Sequence, residues 1–401
     1  MNAWPVKSAS MKAALIVFLK EVRENLRDRR TVINTLVTGP LMAPLIFVLI
    51  INVAVKRELD KAEKPLEVPV IGAAHAPNLI AALEREGLVV KPGMADPERA
   101  VYEQDADVVL RIADDYAASW KKGEPAQVEM IYDASRRDSS GPVDRLRSML
   151  QTYGRRTGAM RLLARGLSPA VTSPLIVAAR DQSTPQSRAG IMFSMLPYFF
   201  ILGAFIGGMA LAIDTTAGER ERQSLEPLFA NPVRRGQILA GKLGATCAFA
   251  LTTLVISIVA FAAVGRFLPT DKIGMVLDLG LRFTAYTLIT MFPLVVLLGS
   301  LQTLVAGFAK SYREAQTYLS LLMLVPAIPS ILLSLLPVKA ALWMYTVPVM
   351  GQQLVILRML RGDNVSMAAL AASIAGTTLI AAIACAITAR IYQSERLAIS
   401  T

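Results

Sequence analysis

The chain has 401 residues, of which 54% are hydrophobic and only 18% are charged, and its net charge is +11. This composition is too apolar for an ordinary soluble protein, so it predicts an integral membrane protein. The excess of Lys and Arg flanks the apolar runs, where it favours anionic membrane lipids as partners and gives no reason to infer a nucleic-acid partner.

The N-terminal segment, residues 1–31, is predicted to be a cytoplasmic amphipathic helix. Apolar residues recur in it at helical spacing, at Leu15, Phe18, Val22 and Leu26, opposite a charged face. It contains seven Lys or Arg residues against three acids, which places it in the cytoplasm by the positive-inside rule.

Six uncharged runs are long enough to cross a bilayer as helices. They are residues 32–55, 189–213, 243–265, 283–309, 315–338 and 365–389. An even number of spans returns the C-terminus to the cytoplasm. Another uncharged run, at about residues 340–357, contains Pro348, Gly351, Gln352 and Gln353 and is predicted to be re-entrant or interfacial.

Residues 56–188 alternate short apolar runs with helical patterns and are predicted to form an extracytoplasmic α/β domain. Strands are expected at about 68–72, 88–91, 107–112 and 128–132, with helices near 77–86, 96–104, 114–121 and 141–165. The expected fold is therefore an α-helical polytopic membrane protein with six transmembrane helices and a large α/β domain between the first and the second. Residues 189–401 hold the remaining spans.

The central segment from Gly218 to Lys242, GERERQSLEPLFANPVRRGQILAGK, is a charged stretch between two spans. We expect a short helix at about 218–233, with Glu219 and Glu221 near its positive N-terminal end and an Asn-Pro stop after it. Its charges favour a solvated site, while Leu225, Leu228 and Phe229 favour a protein partner. The alternative is an amphipathic helix on the membrane surface.

The end of this segment, residues 236–242, spells GxxxxGK, the start of a phosphate-binding loop. That interpretation fails because no buried strand precedes it and no Ser or Thr follows Lys242. We instead expect Lys242 to anchor the next span at the lipid headgroups.

Other residues offer no catalytic or metal site. His75 is the only histidine, and Cys247 and Cys385 lie in different spans. Neither a His-dependent triad, a zinc site nor a redox pair is predicted from them. Gly203 and Gly207 form a GxxxG pair that predicts a close helix contact, either within the chain or across a dimer.

The central segment resembles the permease subunits of the type-2 superfamily of ATP-binding-cassette exporters, whose first cytoplasmic loop typically reads ERERxxLEPLLxxPV followed by Gly-Lys. The matching residues are Glu219, Arg220, Glu221, Arg222, Leu225, Glu226, Pro227, Leu228, Pro232, Val233, Gly241 and Lys242. Residues 19–31 are similar to the connecting helix of the family. Phe229 and Asn231 depart slightly from the pattern.

The resemblance implies a transport subunit without catalytic residues, metal or cofactor of its own. A separate cytoplasmic ATPase would hold ATP and Mg²⁺ and bind the coupling helix. The implied ATPase-coupling residues are Glu219, Arg220, Glu221, Arg222, Ser224, Leu225, Glu226, Pro227, Leu228, Phe229, Asn231, Pro232 and Val233. It further implies a permease homodimer in the bacterial inner membrane, with both termini cytoplasmic.

The large domain between the first two spans resembles the sodium-extrusion (NatB-like) branch and the multidrug or lipid branches of the family. Sodium is the expected substrate. Oxygen ligands from Thr287, Thr290, Ser300 and Thr303 could bind this ion, although such hydroxyls more often bond to their own helix. Export of drugs, lipids or another amphipathic substrate is the alternative. A membrane receptor with an extracytoplasmic sensory domain is a remote alternative. A receptor should continue from its second span into a soluble signalling module, whereas four further spans follow here.

Overall fold

The computed structural model describes residues 6–63, 65–136, 139–172, 175, 178, 180–224, 233–268, 274–335 and 339–393. Its helices are α1 (Val6–Arg27), α2 (Arg29–Val32), α3 (Gly39–Glu63), α4 (Pro77–Arg85), α5 (Pro97–Tyr102), α6 (Tyr116–Lys122), α7 (Ser140–Ala164), α8 (Pro185–Met192), α9 (Leu196–Ile213), α10 (Glu219–Glu221), α11 (Arg235–Gly265), α12 (Leu281–Phe308), α13 (Tyr312–Leu322), α14 (Ala327–Leu335), α15 (Leu342–Thr346), α16 (Met350–Leu360) and α17 (Met367–Gln393). The strands are β1 (Leu66–Ile71), β2 (Leu88–Pro92), β3 (Val108–Ile112) and β4 (Val128–Tyr132).

The chain divides into two compact units, residues 57–181 and the remainder. The unit of residues 57–181 is an α/β fold whose four-stranded sheet has the order β2-β1-β3-β4. Strand β1 is parallel to both β2 and β3, whereas β4 is antiparallel to β3. The parallel strands have nearly continuous apolar sequences because both faces of the sheet are covered. All four strands lie within two residues of their predicted positions.

Each face of the sheet has its own apolar core. On one face, Leu83 of α4 and Leu146 of α7 pack against Val68 and Leu110 of the strands, and all four side chains are buried. On the other face, Val101 and its neighbours pack against Val109, a smaller cluster. Packing on both faces accounts for the independence of this unit, which contains no cysteine.

The other unit is helical. Among the described residues, six helices are long and apolar enough to cross a membrane. They are Arg29–Val53, Leu196–Glu221, Arg235–Gly265, Leu281–Phe308, Tyr312–Leu333 and Met367–Tyr392. The six spans predicted from the sequence are thus present as helices, and the first and fifth leave most of their apolar surface exposed in the single chain.

Two spans begin late or are interrupted relative to the prediction, whereas the third begins early, at Arg235 instead of residue 243. The second does not start at Ala189; α8 ends at Met192, and a turn precedes the new helix that begins at Leu196. The fifth is interrupted between α13 and α14, just before Ala327. Pro197 and Pro326 explain these positions, because a proline suits the start of a helix and disrupts its interior.

The glycine pair of the second span makes a contact within the chain. A Cβ atom on Gly203 would lie 2.9 Å from Ser257 Oγ, and one on Gly207 would lie 3.1 Å from the Ala250 Cα. Helices α9 and α11 therefore approach closely along this face. The sequence left open whether this glycine pair contacts a helix of the same chain or of a second copy, and the structure shows the contact within the chain.

Candidate functional site

The helix of the second span does not end at Ile213. It continues through a π-helical turn, Asp214–Gly218, into Glu219–Glu221. It stops at Gln223, which has a φ of +55°, where Ser224 N–H donates to Glu219 O at 2.9 Å and Gln223 N–H donates to Arg220 O at 3.0 Å. This pattern is a Schellman-type helix end.

The prediction that Glu219 and Glu221 begin a separate helix is therefore wrong. They are the last turn of the second span, and the residues that follow the Schellman-type end start a new segment. A glycine just after the last helical turn is the usual marker of such an end, and this chain has none there. Gln223 adopts the left-handed conformation instead.

Glu219 and Lys242 form a buried ion pair. The Glu219 residue is 7% exposed and Lys242 is 0% exposed. Lys242 Nζ donates to Glu219 Oε2 and, at 2.6 Å, to the Thr215 carbonyl oxygen, which the π-turn exposes. The prediction that Lys242 anchors α11 at the lipid headgroups is wrong, because its ammonium finds both a carboxylate and a carbonyl inside the protein.

Helix α1 brings further charges to this pair. Lys20 Nζ lies 3.1 Å from Glu21 Oε1, 3.3 Å from Glu24 Oε2 and 3.5 Å from Glu219 Oε1. Glu21 is only 2% exposed. The predicted charged face of α1 is thus partly an internal contact, while Leu15 and Leu26 of its apolar stripe stay exposed.

A close backbone approach holds α1 against α11. A Cβ atom on Gly241 would lie 2.7 Å from both Ala14 O and Val17 Cβ. Phe18, from the apolar stripe of α1, packs near Phe249 and its neighbours on α11. The Gly-Lys pair therefore has two separate roles, since Gly241 admits the helix and Lys242 binds the carboxylate.

The other residues of the ERER sequence contact different elements. Arg220 Nη1 donates to the Ala309 carbonyl at 3.2 Å, where α12 ends. Glu221 Oε2 accepts from Tyr312 N–H at 2.8 Å, where α13 begins, which suits a negative charge at a helix N-terminus. Arg222 Nη2 donates to Asp214 Oδ1 at 2.8 Å.

These four consecutive side chains together contact α1, α11, the junction of α12 with α13, and the π-turn. We call them the ERER tetrad, residues 219–222. A displacement of the chain after residue 222 would therefore move side chains that contact all of these elements. A charged cavity of about 200 Å³ beside the tetrad is lined by Lys20, Glu21, Glu24, Asp214, Glu219, Arg222 and Ser224.

The predicted ATPase-coupling residues are only partly covered by the structure. Residues 219–222 and Ser224 are placed as described above, and Val233 is half-buried. Residues 225–232, which include Leu225, Leu228 and Phe229, lie outside the described residues. Sequence reasoning missed Lys20, Glu21, Thr215 and Asp214 as partners of the tetrad. The sequence placed the first two on the charged face of α1 and gave no sign that this face packs inside the protein.

The charges of this cluster shift the titration of α1. Burial penalises the charged form of Glu21 and raises its pKa, although Lys242 and Lys20 act in the opposite direction. Partial burial acts to lower the pKa of Lys20, but the carboxylates of Glu21 and Glu219 outweigh it and raise that pKa.

We expect Glu21→Gln to raise the unfolding temperature at about pH 8. A carboxyl whose pKa is raised on folding binds its proton more tightly in the folded state, so its ionisation destabilises the fold as the pH rises. The gain in unfolding temperature should vanish below pH 4.5, the ordinary pKa of a glutamate, because Glu21 is then protonated in both the folded and the unfolded chain. Thermal unfolding of both proteins across this range measures it, and a lower unfolding temperature for the variant at pH 8 would contradict it.

The chain is similar in sequence to known proteins over most of its length. Residues 29–390 match the family described as ABC-2 family transporter protein. The chain is also similar to the ABC transporter permease protein NatB of Bacillus subtilis (strain 168), with 26% identity over 320 residues, which cover 78% of this chain and 80% of the relative. Both matches extend well beyond the tetrad, and the family match includes the α/β unit.

Proposed function

The chain belongs to the ABC-2 transporter family, and from this we propose that it is the permease through which an ATP-driven exporter extrudes sodium ions. The family predicted from the ERER motif is confirmed. The chain is a membrane-spanning transport component, and ATP is hydrolysed on a separate subunit. Sodium as the substrate follows from the resemblance to the NatB-like branch, to which the similar Bacillus protein also points.

The observation that carries the mechanism is the set of contacts made by the ERER tetrad. Residues 225–233 dock into the ATPase, and Leu225, Leu228 and Phe229 are the apolar anchor. Movement of that segment is transmitted along the tetrad to Glu219 and its buried partner Lys242. Because the tetrad also contacts α1, α12 and α13, it distributes the movement among several spans at once.

The contacts of α1 support a cytoplasmic N-terminus. Lys20 lies 3.5 Å from Glu219, so α1 and the central segment share one side of the membrane. The ATPase binds on that side, which is the cytoplasm of a bacterium with the chain in its inner membrane. The α/β unit is then extracytoplasmic, the C-terminus is cytoplasmic, and residues 340–357 form a re-entrant segment. ATP and Mg²⁺ are held by the ATPase.

A second copy of the permease completes the transporter. The first and fifth spans leave apolar side chains such as Leu49, Ile50, Leu321 and Val325 more than half exposed within the single chain. Lipid tails cover part of this surface. The remainder is available to the same spans of a partner permease, so that the translocation path lies between two copies.

The function is tested by ion flux in sealed vesicles that contain the chain and its ATPase. ATP supplied on the cytoplasmic face should move sodium to the other side, with no movement when a non-hydrolysable nucleotide replaces ATP. Export of a lipid or a dye without sodium movement would transfer the assignment to the amphipathic-substrate alternative. If neither sodium nor a lipid or dye is moved, the exporter proposal itself is rejected.

Leu225→Asp combined with Leu228→Asp should abolish this flux and release the ATPase during purification. The two carboxylates would be desolvated at the centre of the interface, where truncation of apolar anchors typically costs about 2 kcal/mol or more each. Co-purification of the two subunits measures the loss. Arg234→Asp, which changes charge next to the anchor, is the matched control, and undiminished binding by the double variant would refute the docking role.

A further inference from the structure

A small cavity lies where the start of the second span meets the fifth span and α16. Its volume is about 20 Å³, which suits one occupant of about the size of a water molecule. Four polar residues line it, Ser194, Tyr198, Ser330 and Gln353, among apolar neighbours. No acidic or basic side chain lies among its described lining residues.

The hydrogen bonds around this cavity orient one amide oxygen. Ser330 Oγ donates to the Pro326 carbonyl at 3.1 Å, and Gln353 Nε2 donates to Ser330 Oγ. Gln353 is 4% exposed, yet its Oε1 has no hydrogen-bond partner among the described residues. An amide oxygen buried among apolar groups without a donor is unfavourable, and a bound cation is one way to satisfy it.

The backbone next to Gln353 is fixed and irregular. Helices α15 and α16 are separated by a break at which Val349 has a φ of +71°, an unfavourable conformation for a β-branched residue. Gln352 Oε1 accepts from Val349 N–H at 2.8 Å and holds this break closed. Irregular backbone between two short helices is a recurring setting for ion sites in transporters.

We propose that Gln353, Ser330, Ser194 and Tyr198 form a binding site for one sodium ion, using neutral oxygen ligands. The identity of the ion rests on the proposed function, whereas the site itself rests on the cavity and the unpaired amide oxygen. Of the hydroxyls that the sequence suggested as ligands, Thr290, Ser300 and Thr303 each donate to a carbonyl of their own helix, at 2.7, 2.8 and 2.8 Å. Thr287 Oγ1 is buried without a hydrogen-bond partner among the described residues, but Thr287 is not among the residues that line this cavity.

The described lining residues include no carboxylate, and this has a functional consequence. An ion held only by dipoles is bound weakly, and weak binding permits release to the other side. The cavity is also lined by the first turn of the second span, through Tyr198. A movement of that span changes the ligand set, so that binding and release follow the state of the permease.

The test is sodium-dependent thermal unfolding of the purified full chain, with choline chloride keeping the ionic strength constant. Sodium should raise the Tm in a saturable way, and potassium should do so much less. Gln353→Leu and Ser330→Ala should each raise the half-maximal sodium concentration by roughly tenfold or more. Gln353→Glu, which keeps a side-chain oxygen, should retain the response.

Gln302→Leu is the matched control, because Gln302 is also a buried glutamine, 1% exposed, that donates to the Phe205 carbonyl elsewhere in the bundle. It should lower the Tm without changing the sodium response. A wild-type Tm that responds to all salts alike would overturn the sodium site and identify its occupant as water. A sodium response in Gln353→Leu equal to that of the wild-type chain would overturn it too. A sodium response without ATP-driven sodium flux would reject the proposed substrate and leave the site standing.

Discussion

Replacing Lys242 with methionine should destabilise the membrane unit by about 3–5 kcal/mol, because it leaves the buried carboxylate of Glu219 without its ammonium partner. The substitution keeps the length and apolar stem of the side chain, so the loss reports on the charge. The Thr215 carbonyl would also lose its donor. Thermal or denaturant unfolding of the purified chain measures the effect.

Lys242→Met should abolish ATP-driven flux as well as lower the free energy of unfolding. The decisive control is the double variant Glu219→Met with Lys242→Met, because replacing both members of a buried ion pair with apolar residues is often nearly neutral for stability. We expect the double variant to recover most of the unfolding free energy but not ATP-driven flux. If Lys242→Met alone unfolds like the wild-type chain, Lys242 is not paired inside the protein.

Gly241→Ala should cost about 1–3 kcal/mol and loosen α1 from α11. The new Cβ would lie 2.7 Å from a backbone oxygen of α1, Ala14 O, so the whole helix must move to accommodate it. Protease accessibility of α1 and unfolding temperature should change together. Flux should fall as well, since α1 carries Lys20 to the tetrad.

Gly244→Ala, one turn further along α11, provides the matched comparison. Its Cβ would lie 3.3 Å from the ring of Phe18, a side chain that can shift, and the change should stay within about 0.5 kcal/mol. Equal effects of the two substitutions would show that helix propensity, and not the approach of α1, determines the result.

The sequence was most informative where a local pattern determines the structure. Uncharged runs of spanning length predicted all six membrane helices, and alternating apolar residues predicted the strands of the α/β unit. The ERER motif led to the family, since its charges and spacing are specific. These features depend on residues close together in the chain, and a pattern read along the sequence captures them.

The partners within the site could not be found in this way. Lys20, Glu219 and Lys242 are brought together by the packing of α1 on α11, and no periodicity shows that a lysine at the start of an apolar span is buried. The left-handed end at Gln223 was missed for a similar reason, because only a glycine would have marked it. The unpaired Gln353 also depends on tertiary contacts, although the sequence did locate the irregular segment around it.

The second span is one continuous helical segment, so it connects the ERER tetrad directly to the cavity at its other end. From Leu196 to Glu221 the chain is helical throughout, a length of about 39 Å at 1.5 Å per residue. In the proposed coupling, a movement applied at Glu219 reaches the π-turn, Asp214–Gly218, before the rest of the span. A change of helical register in that turn would convert a push along the axis into a rotation of the helix end that carries Tyr198.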